Sequence, residues 1–260
     1  MLFVGDVVGP AGCAAVVDLV PRLREELDLD AVVANAENSA PAGRGITRES
    51  GSALLSVADF LTLGNHAFDA EGYREFLEEE SRVVRPANFG EKDPGSGWGY
   101  FHAGGVTVGV TNVLGRVFVE RTKMSPFEAA DRAVAELQER GADLVLVDSH
   151  AEATSEKLAL GHYLDGRAQA VLGTHTHVPT ADLSILPGGT AYVTDVGMTG
   201  CRDSIIGFER DDFLALFLGD WRGISVATGG PVLFHAALVE FDLSAGRVVG
   251  VETVRREWKP

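Results

Sequence analysis

His175 and His177, one threonine apart, follow a mostly apolar run at 168–172 that reads as a buried strand broken by Gly173. On an extended backbone alternate side chains share a face, so the two imidazoles would stand side by side. Two neutral imidazoles held together make half of a transition-metal site. An isolated H-x-H is more often a pair of loop histidines satisfied by hydrogen bonds. The company this pair keeps changes the reading. Asp6 follows the apolar run 1–4, Glu37 and Asn38 follow 31–35, Asn65 and His66 follow 59–63, and His150 follows 143–148. Taken singly, each is a turn residue or a satisfied core histidine. The same pattern at strand after strand is not explained that way.

Carboxylate, amide and imidazole in this mixture are too hard for copper(I) and too rich in nitrogen for calcium or magnesium; manganese, iron or zinc suit them. Asp6, Glu37, Asn38, Asn65, His66, His150, His175 and His177 are too many donors for one ion and enough for two that share a carboxylate. Paired ions about 4 Å apart are a device for phosphoester hydrolysis, activating water and neutralising phosphoryl oxygens.

The elements that must position these groups alternate. Strand 1–4 leads through a glycine loop, 5–10, into a helix at 11–27 whose apolar positions Val16, Val17, Val20, Leu23 and Leu27 recur at helical spacing, with a kink or break expected at Pro21. A phosphate-cradling loop is the rival for 5–12, but its glycines fit neither common nucleotide pattern, and Asp6 would repel phosphate unless a cation lay between. Helices are expected at 47–57, capped by Thr47, and from Asp69 to about 80, with Glu71 in its first turn. A hairpin follows at 98–114, then helices at 126–140, begun by Ser125-Pro126, and from Thr154 to about 163. The remainder reads as strands at 191–194, 232–243 and 248–254 around a helix at 211–218. In open α/β sheets functional groups gather at the carboxyl ends of strands, where these candidates fall. Arg85, Arg116 and Arg121 could reach a phosphate. Residues 1–260 form one domain in this reading, without a repeat or a linker.

The formal net charge of −16 argues against a long nucleic acid or an anionic membrane as partner. A small anionic substrate remains compatible, because a bound cation reverses the local potential. Cys13 and Cys201 are the only cysteines, so no disulfide framework is expected. With no signal-like or membrane-spanning run, the expected location is cytoplasmic.

The order Asp, Glu-Asn, Gly-Asn-His, His, Gly-Thr-His-Thr-His resembles that of the calcineurin-like metallophosphoesterases and, more narrowly, their YmdB-type branch. The residues that carry the likeness are 5–9, Glu37-Asn38-Ser39-Ala40, Gly64-Asn65-His66, Val84-Arg85-Pro86-Ala87-Asn88, the run His150-Ala151-Glu152-Ala153-Thr154-Ser155-Glu156-Lys157, Asp165-Gly166-Arg167 and 173–182. The resemblance implies an α/β fold, a two-sheet αββα sandwich, with a dinuclear site that hydrolyses phosphodiesters or phosphomonoesters; cyclic nucleotides are the substrates associated with the branch. It assigns Asp6, Glu37, Asn38 and His177 to one ion, and Glu37 as the bridge with Asn65, His150 and His175 to the other. His66 becomes the proton donor to the leaving oxygen. Two departures from the wider superfamily stand out: Val8 replaces the histidine of D-x-H, and Glu37 stands where a bridging aspartate is usual. Exchanging an imidazole for oxygen ligands favours iron or manganese. A homo-oligomer is expected, as is a small nucleotide-like phosphoester partner. The alternatives are a phosphomonoesterase on the same site, or a metal-binding regulatory protein with little turnover.

Overall fold

The computed structural model describes residues 1–119 and 121–260. In chain order the elements are β1 (Leu2–Val4), β2 (Asp6–Val7), α1 (Gly9–Glu26), β3 (Val32–Asn35), α2 (Arg48–Leu55), β4 (Phe60–Thr62), α3 (Tyr73–Glu79) and β5 (Val83–Val84). Then come β6 (Trp98–Ala103), β7 (Val106–Leu114), α4 (Pro126–Glu139), β8 (Leu144–His150), α5 (Thr154–Leu164), β9 (Ala170–Thr174), β10 (Ser184–Ile185), β11 (Ala191–Val193) and β12 (Met198–Cys201). The chain closes with α6 (Arg210–Phe217), β13 (Val232–Asp242) and β14 (Arg247–Trp258).

These strands form an eight-stranded sheet in the order β2-β12-β13-β1-β3-β4-β5, with β14 beside β13, and a six-stranded sheet in the order β10-β11-β9-β8-β7-β6. Alternation along the strands builds the layers. In β1 and β3, Phe3 and Val33 turn to the second sheet, where they meet Leu146 and Leu172. Their neighbours Leu2, Val4, Val32 and Ala34 turn instead to Val16, Val20 and Leu23 of α1, Leu54 of α2 and Phe76 of α3. On the far side, Val145, Val147 and Val171 pack under Val134 and Leu137 of α4 and Leu160 of α5. The result is the expected αββα sandwich. β1, β3, β4 and β5 run parallel, as do β7, β8, β9 and β11, so the carboxyl ends of both parallel sets carry the loops in question.

Several local expectations need correction. α1 runs unbroken through Pro21, packed along its length by Val16, Val20 and Leu23. Packing of that apolar face outweighs the one backbone bond that proline removes. Asp69 does not start α3, and Glu71 lies outside it; the helix begins after Gly72, whose φ of 77° is left-handed. Asp69 is engaged elsewhere, on His66. Thr47 does cap α2, through a reciprocal pair with Ser50, whereas neither Ser125 nor a side chain at the start of α5 makes a capping hydrogen bond. Gly173 does not end its strand: β9 continues to Thr174. A Cβ there would lie 1.7 Å from the Thr194 carbonyl oxygen, so the glycine permits close strand approach. Among the described residues no helix is long and apolar enough to cross a membrane.

Candidate metal centre

The strand-end groups converge from both sheets. Asp6 opens β2, Glu37 and Asn38 follow β3, Asn65 and His66 follow β4, His150 ends β8, and His175 and His177 follow β9. Asp6, Glu37, Asn38, His150 and His177 are buried.

The two histidines of the H-x-H do not lie on extended backbone. His175 has φ 96° and His177 φ 64°, both left-handed. The chain therefore curls, and the rings go to different neighbours. His175 Nδ1 lies 3.1 Å from His150 Nε2, whereas His177 Nε2 lies 3.2 Å from Asn38 Oδ1 and 3.8 Å from Asp6 Oδ1. Ile206, whose carbonyl meets His177, is also left-handed at φ 48°. Such conformations cost of order 1–3 kcal/mol each and persist only where the surroundings enforce them.

The hydrogen-bond partners behind each imidazole fix which nitrogen carries its proton. His177 Nδ1 faces the Ile206 carbonyl at 2.7 Å, an acceptor, so Nδ1 donates and Nε2 presents a lone pair. Thr174 Oγ1 donates its proton to Asp148 at 2.6 Å and thus accepts from His150 Nδ1 at 2.8 Å. His175 Nε2 faces the Glu152 carboxylate at 3.2 Å, which leaves its Nδ1 bare. In its neutral form each of the three rings directs an unprotonated nitrogen inward.

Two clusters of lone pairs result. In one, His150 Nε2 is 2.9 Å from Glu37 Oε1, 3.1 Å from Asn65 Oδ1 and 3.1 Å from His175 Nδ1. Ligand atoms of Glu37, His150 and His175 all fall within 4.8 Å of one another. In the other, His177 Nε2, Asn38 Oδ1 and Asp6 Oδ1 face each other, and Asp6 Oδ1 is buried with no hydrogen-bond partner among the described residues. Acceptors packed against acceptors, with an orphaned carboxylate oxygen, are costly unless a cation joins them. Gly64 keeps space for this: a Cβ there would lie 2.2 Å from Glu37 Oε2 and 2.3 Å from His150 Nε2. The donors fit metal binding.

Without a cation, protons respond to the same field. Burial disfavours charge on His150, but the carboxylates of Glu37, Asp6 and Asp148 outweigh it and raise its pKa to about 9. Burial likewise opposes the Glu37 charge, yet the His150 ion pair and hydrogen bond, aided by His66 and His175, hold it well below the usual carboxylate range. Burial and the His150 charge push His175 down to about 3, so that ring stays neutral. Asp6 is raised to about 6 by burial, against the pull of His177 and His150.

His66 stands at the margin. Its main-chain N–H donates to Glu37 Oε2 at 3.0 Å, and its Nδ1 meets Asp69 Oδ2 at 2.6 Å. Arg121 joins the same carboxylate at 2.7 Å and the Asn65 carbonyl at 2.8 Å. Arg85, a candidate for phosphate contact by residue type, is instead buried and donates to the carbonyls of Pro86 and Gly90.

The YmdB-like protein family model matches residues 2–254. The chain belongs to the YmdB-like family. It is 42% identical over 255 residues, 98% of this chain and 96% of the relative, to the 2',3'-cyclic-nucleotide 2'-phosphodiesterase of Bacillus subtilis (strain 168). Among solved structures, a hypothetical protein of Thermus thermophilus matches with a TM-score of 0.90 and 46% identity, covering 98% of each chain. A phosphatase structure from Mycoplasma pneumoniae matches with a TM-score of 0.90 and 31% identity, over 98% of this chain and 92% of that one.

Beyond the eight residues singled out by type, this YmdB-like chain places further groups behind the site that sequence reading missed as functional. Asp148 is buried and accepts from Asn35 at 2.8 Å, Thr62 at 2.5 Å and Thr174 at 2.6 Å. Glu152 contacts His175, and the Glu156 carboxylate accepts the main-chain N–H groups of Arg116 and Val117 at 3.0 and 3.2 Å. Glu152, Glu156 and Lys157 all lie in the run begun by His150, so the signal was present; what was lacking was a partner to assign them.

Proposed function

We propose that this protein hydrolyses phosphodiesters, small cyclic nucleotides first among them, at a centre of two transition ions. Asp6, Asn38 and His177 would hold one ion; Asn65, His150 and His175 would hold the other; Glu37 would bridge. What carries this reading is the inward convergence of imidazole nitrogens with amide and carboxylate oxygens in two adjoining clusters. The name of the Bacillus subtilis relative supports the substrate class. Oxygen and imidazole donors with no thiolate favour iron or manganese. When bound, such ions supply charge that acidifies water and meets the phosphoryl oxygens.

The remaining work falls to the chain. A phosphodiester expels an alkoxide, a poor leaving group unless it is protonated as the P–O bond breaks. His66 is suited to deliver that proton: its Nδ1 bond to Asp69 orients the ring beside the site. Asp69 is held ionised for this, because the hydrogen bonds from His66 and Arg121 outweigh the effect of its partial burial. Rates on a panel of cyclic nucleotides, mononucleotides and aryl esters, with manganese added to chelator-stripped protein, test the proposal. Turnover led by cyclic nucleotides is expected. Preference for mononucleotides would make it a phosphomonoesterase, and no turnover of any member would leave a binding protein.

A further inference from the structure

The run from His150 to Lys157 ends in a residue that the metal-ligand assignment leaves unused. Lys157, on the first turn of α5, is fully buried, and so is its partner Asp195 after β11. Lys157 Nζ donates to Asp195 Oδ2 at 2.7 Å and to the Thr174 carbonyl at 2.5 Å. The same Asp195 oxygen accepts the Thr176 main-chain N–H at 3.1 Å and its hydroxyl at 2.7 Å. Thr176 is the residue between the two left-handed histidines. Asp195 Oδ1 accepts from Gly197 N at 2.9 Å, and the Gly197 carbonyl in turn accepts from Asp6 N at 3.1 Å.

A buried ion pair is seldom retained for stability, because desolvation cancels most of the attraction. This one is hydrogen-bonded at every turn, and its bonds go to the backbone on both sides of His175 and to the segment behind Asp6. We infer that Lys157 and Asp195 are positioning residues, a buried clamp that holds the 174–177 loop in its left-handed curl and thereby aims His175 and His177 at separate ions. The inference rests on the dinuclear reading. It also gives that motif lysine a role: Lys157 reaches the loop between the histidines from a helix that contributes no ligand.

The test measures manganese binding rather than turnover. Lys157→Met/Asp195→Asn removes both charges together, leaving neither one buried alone. It should still unfold cooperatively, while Mn²⁺ binds chelator-stripped protein about ten- to a hundredfold more weakly at both positions, the loss typical of a group supporting a ligand. Thr176→Val, which removes only the hydroxyl contact, should weaken binding several-fold. Amide exchange at Thr176 should accelerate in both. Leu160→Ala, a cavity one turn further along the same helix that removes none of the clamp's hydrogen bonds, should lower the melting temperature and leave Mn²⁺ affinity unchanged. Native-like affinity in the double variant overturns the clamp, as does equal weakening by Leu160→Ala. If the double variant fails to fold, native-like affinity and exchange in Thr176→Val overturn it instead. Failure of the unsubstituted protein to bind Mn²⁺ would sink the dinuclear reading and this inference with it; binding that ignores the clamp would sink this inference alone.

Discussion

Around Glu37, donors from three other chain segments crowd within hydrogen-bond distance of His150 Nε2. Around Asp6 the spacing is looser, with Asp6 Oδ1 3.8 Å from His177 Nε2, 4.0 Å from His150 Nδ1 and without a hydrogen-bond partner among the described residues. The electrostatic answers differ as well. In the Glu37 half the carboxylate stays ionised and a proton is held on His150, with a pKa of about 9. In the Asp6 half burial drives the carboxylate itself to about 6. In one half a proton on His150 must therefore leave before a cation enters, whereas in the other the carboxylate is already bare at neutral pH.

The largest effect should come from the residue proposed to serve both halves. Glu37→Ala should lose both ions, read by elemental analysis, and with them turnover of alkyl and aryl esters alike. Retention of two ions would show the halves to be independent. His66→Ala should retain both ions and lose roughly 10²–10⁴-fold on alkyl phosphodiesters. An activated aryl ester, whose leaving group barely needs a proton, should suffer much less. Equal slowing of both substrates would make His66 a positioning residue, and loss of metal would make it a ligand.

Proton counting sharpens the contrast further. Mn²⁺ titrated calorimetrically at pH 7.5, in buffers of different ionisation enthalpy, should release about one proton at the Glu37 half and close to none at the Asp6 half. The sign follows from the shifts: affinity in the first half rises with pH up to about 9, where metal-free His150 loses its proton. In the second half it rises only to about 6, where Asp6 does. His177→Ala should remove the proton-silent event and spare the other. Equal proton release at the two would erase the distinction.

The smallest effect is expected at Cys13. Its thiol is pushed up to about 12 by burial, and its Sγ donates to the Ser39 carbonyl at 3.5 Å. Folded protein should resist alkylation there while denatured protein reacts fully, and Cys13→Ser should keep both ions. Rapid labelling of the native thiol would place Cys13 in a more open setting than its packing against α1's neighbours implies.

The layers and the candidate ligands were legible because both depend on local signals: alternation in strands, helical periodicity, and polar residues recurring at strand ends. The curl at His175 and His177 was not. Left-handed backbone is signalled by glycine or asparagine, and these histidines, like Ile206, are forced into it by distant contacts. Lys157 and Asp195 are 38 residues apart, so nothing local tells a buried lysine from a solvated one. Asp69 looked like a helix cap because aspartate favours caps; a nearby imidazole competed for it and won. Pro21 failed as a breaker because apolar packing outweighed its missing bond.

The order of the ligands along the chain has a consequence for synthesis. His177 meets Asn38 across 139 residues, and His175 meets Asp6 across 169. Domains emerging from the ribosome begin to organise from the amino end. The first sheet's two carboxylates and two amides are thus made long before His150, His175 and His177 exist to complete them. Neither cluster can close until β9 has been made and the two sheets have met. Ion capture at the proposed centre would then wait on the meeting of the two sheets.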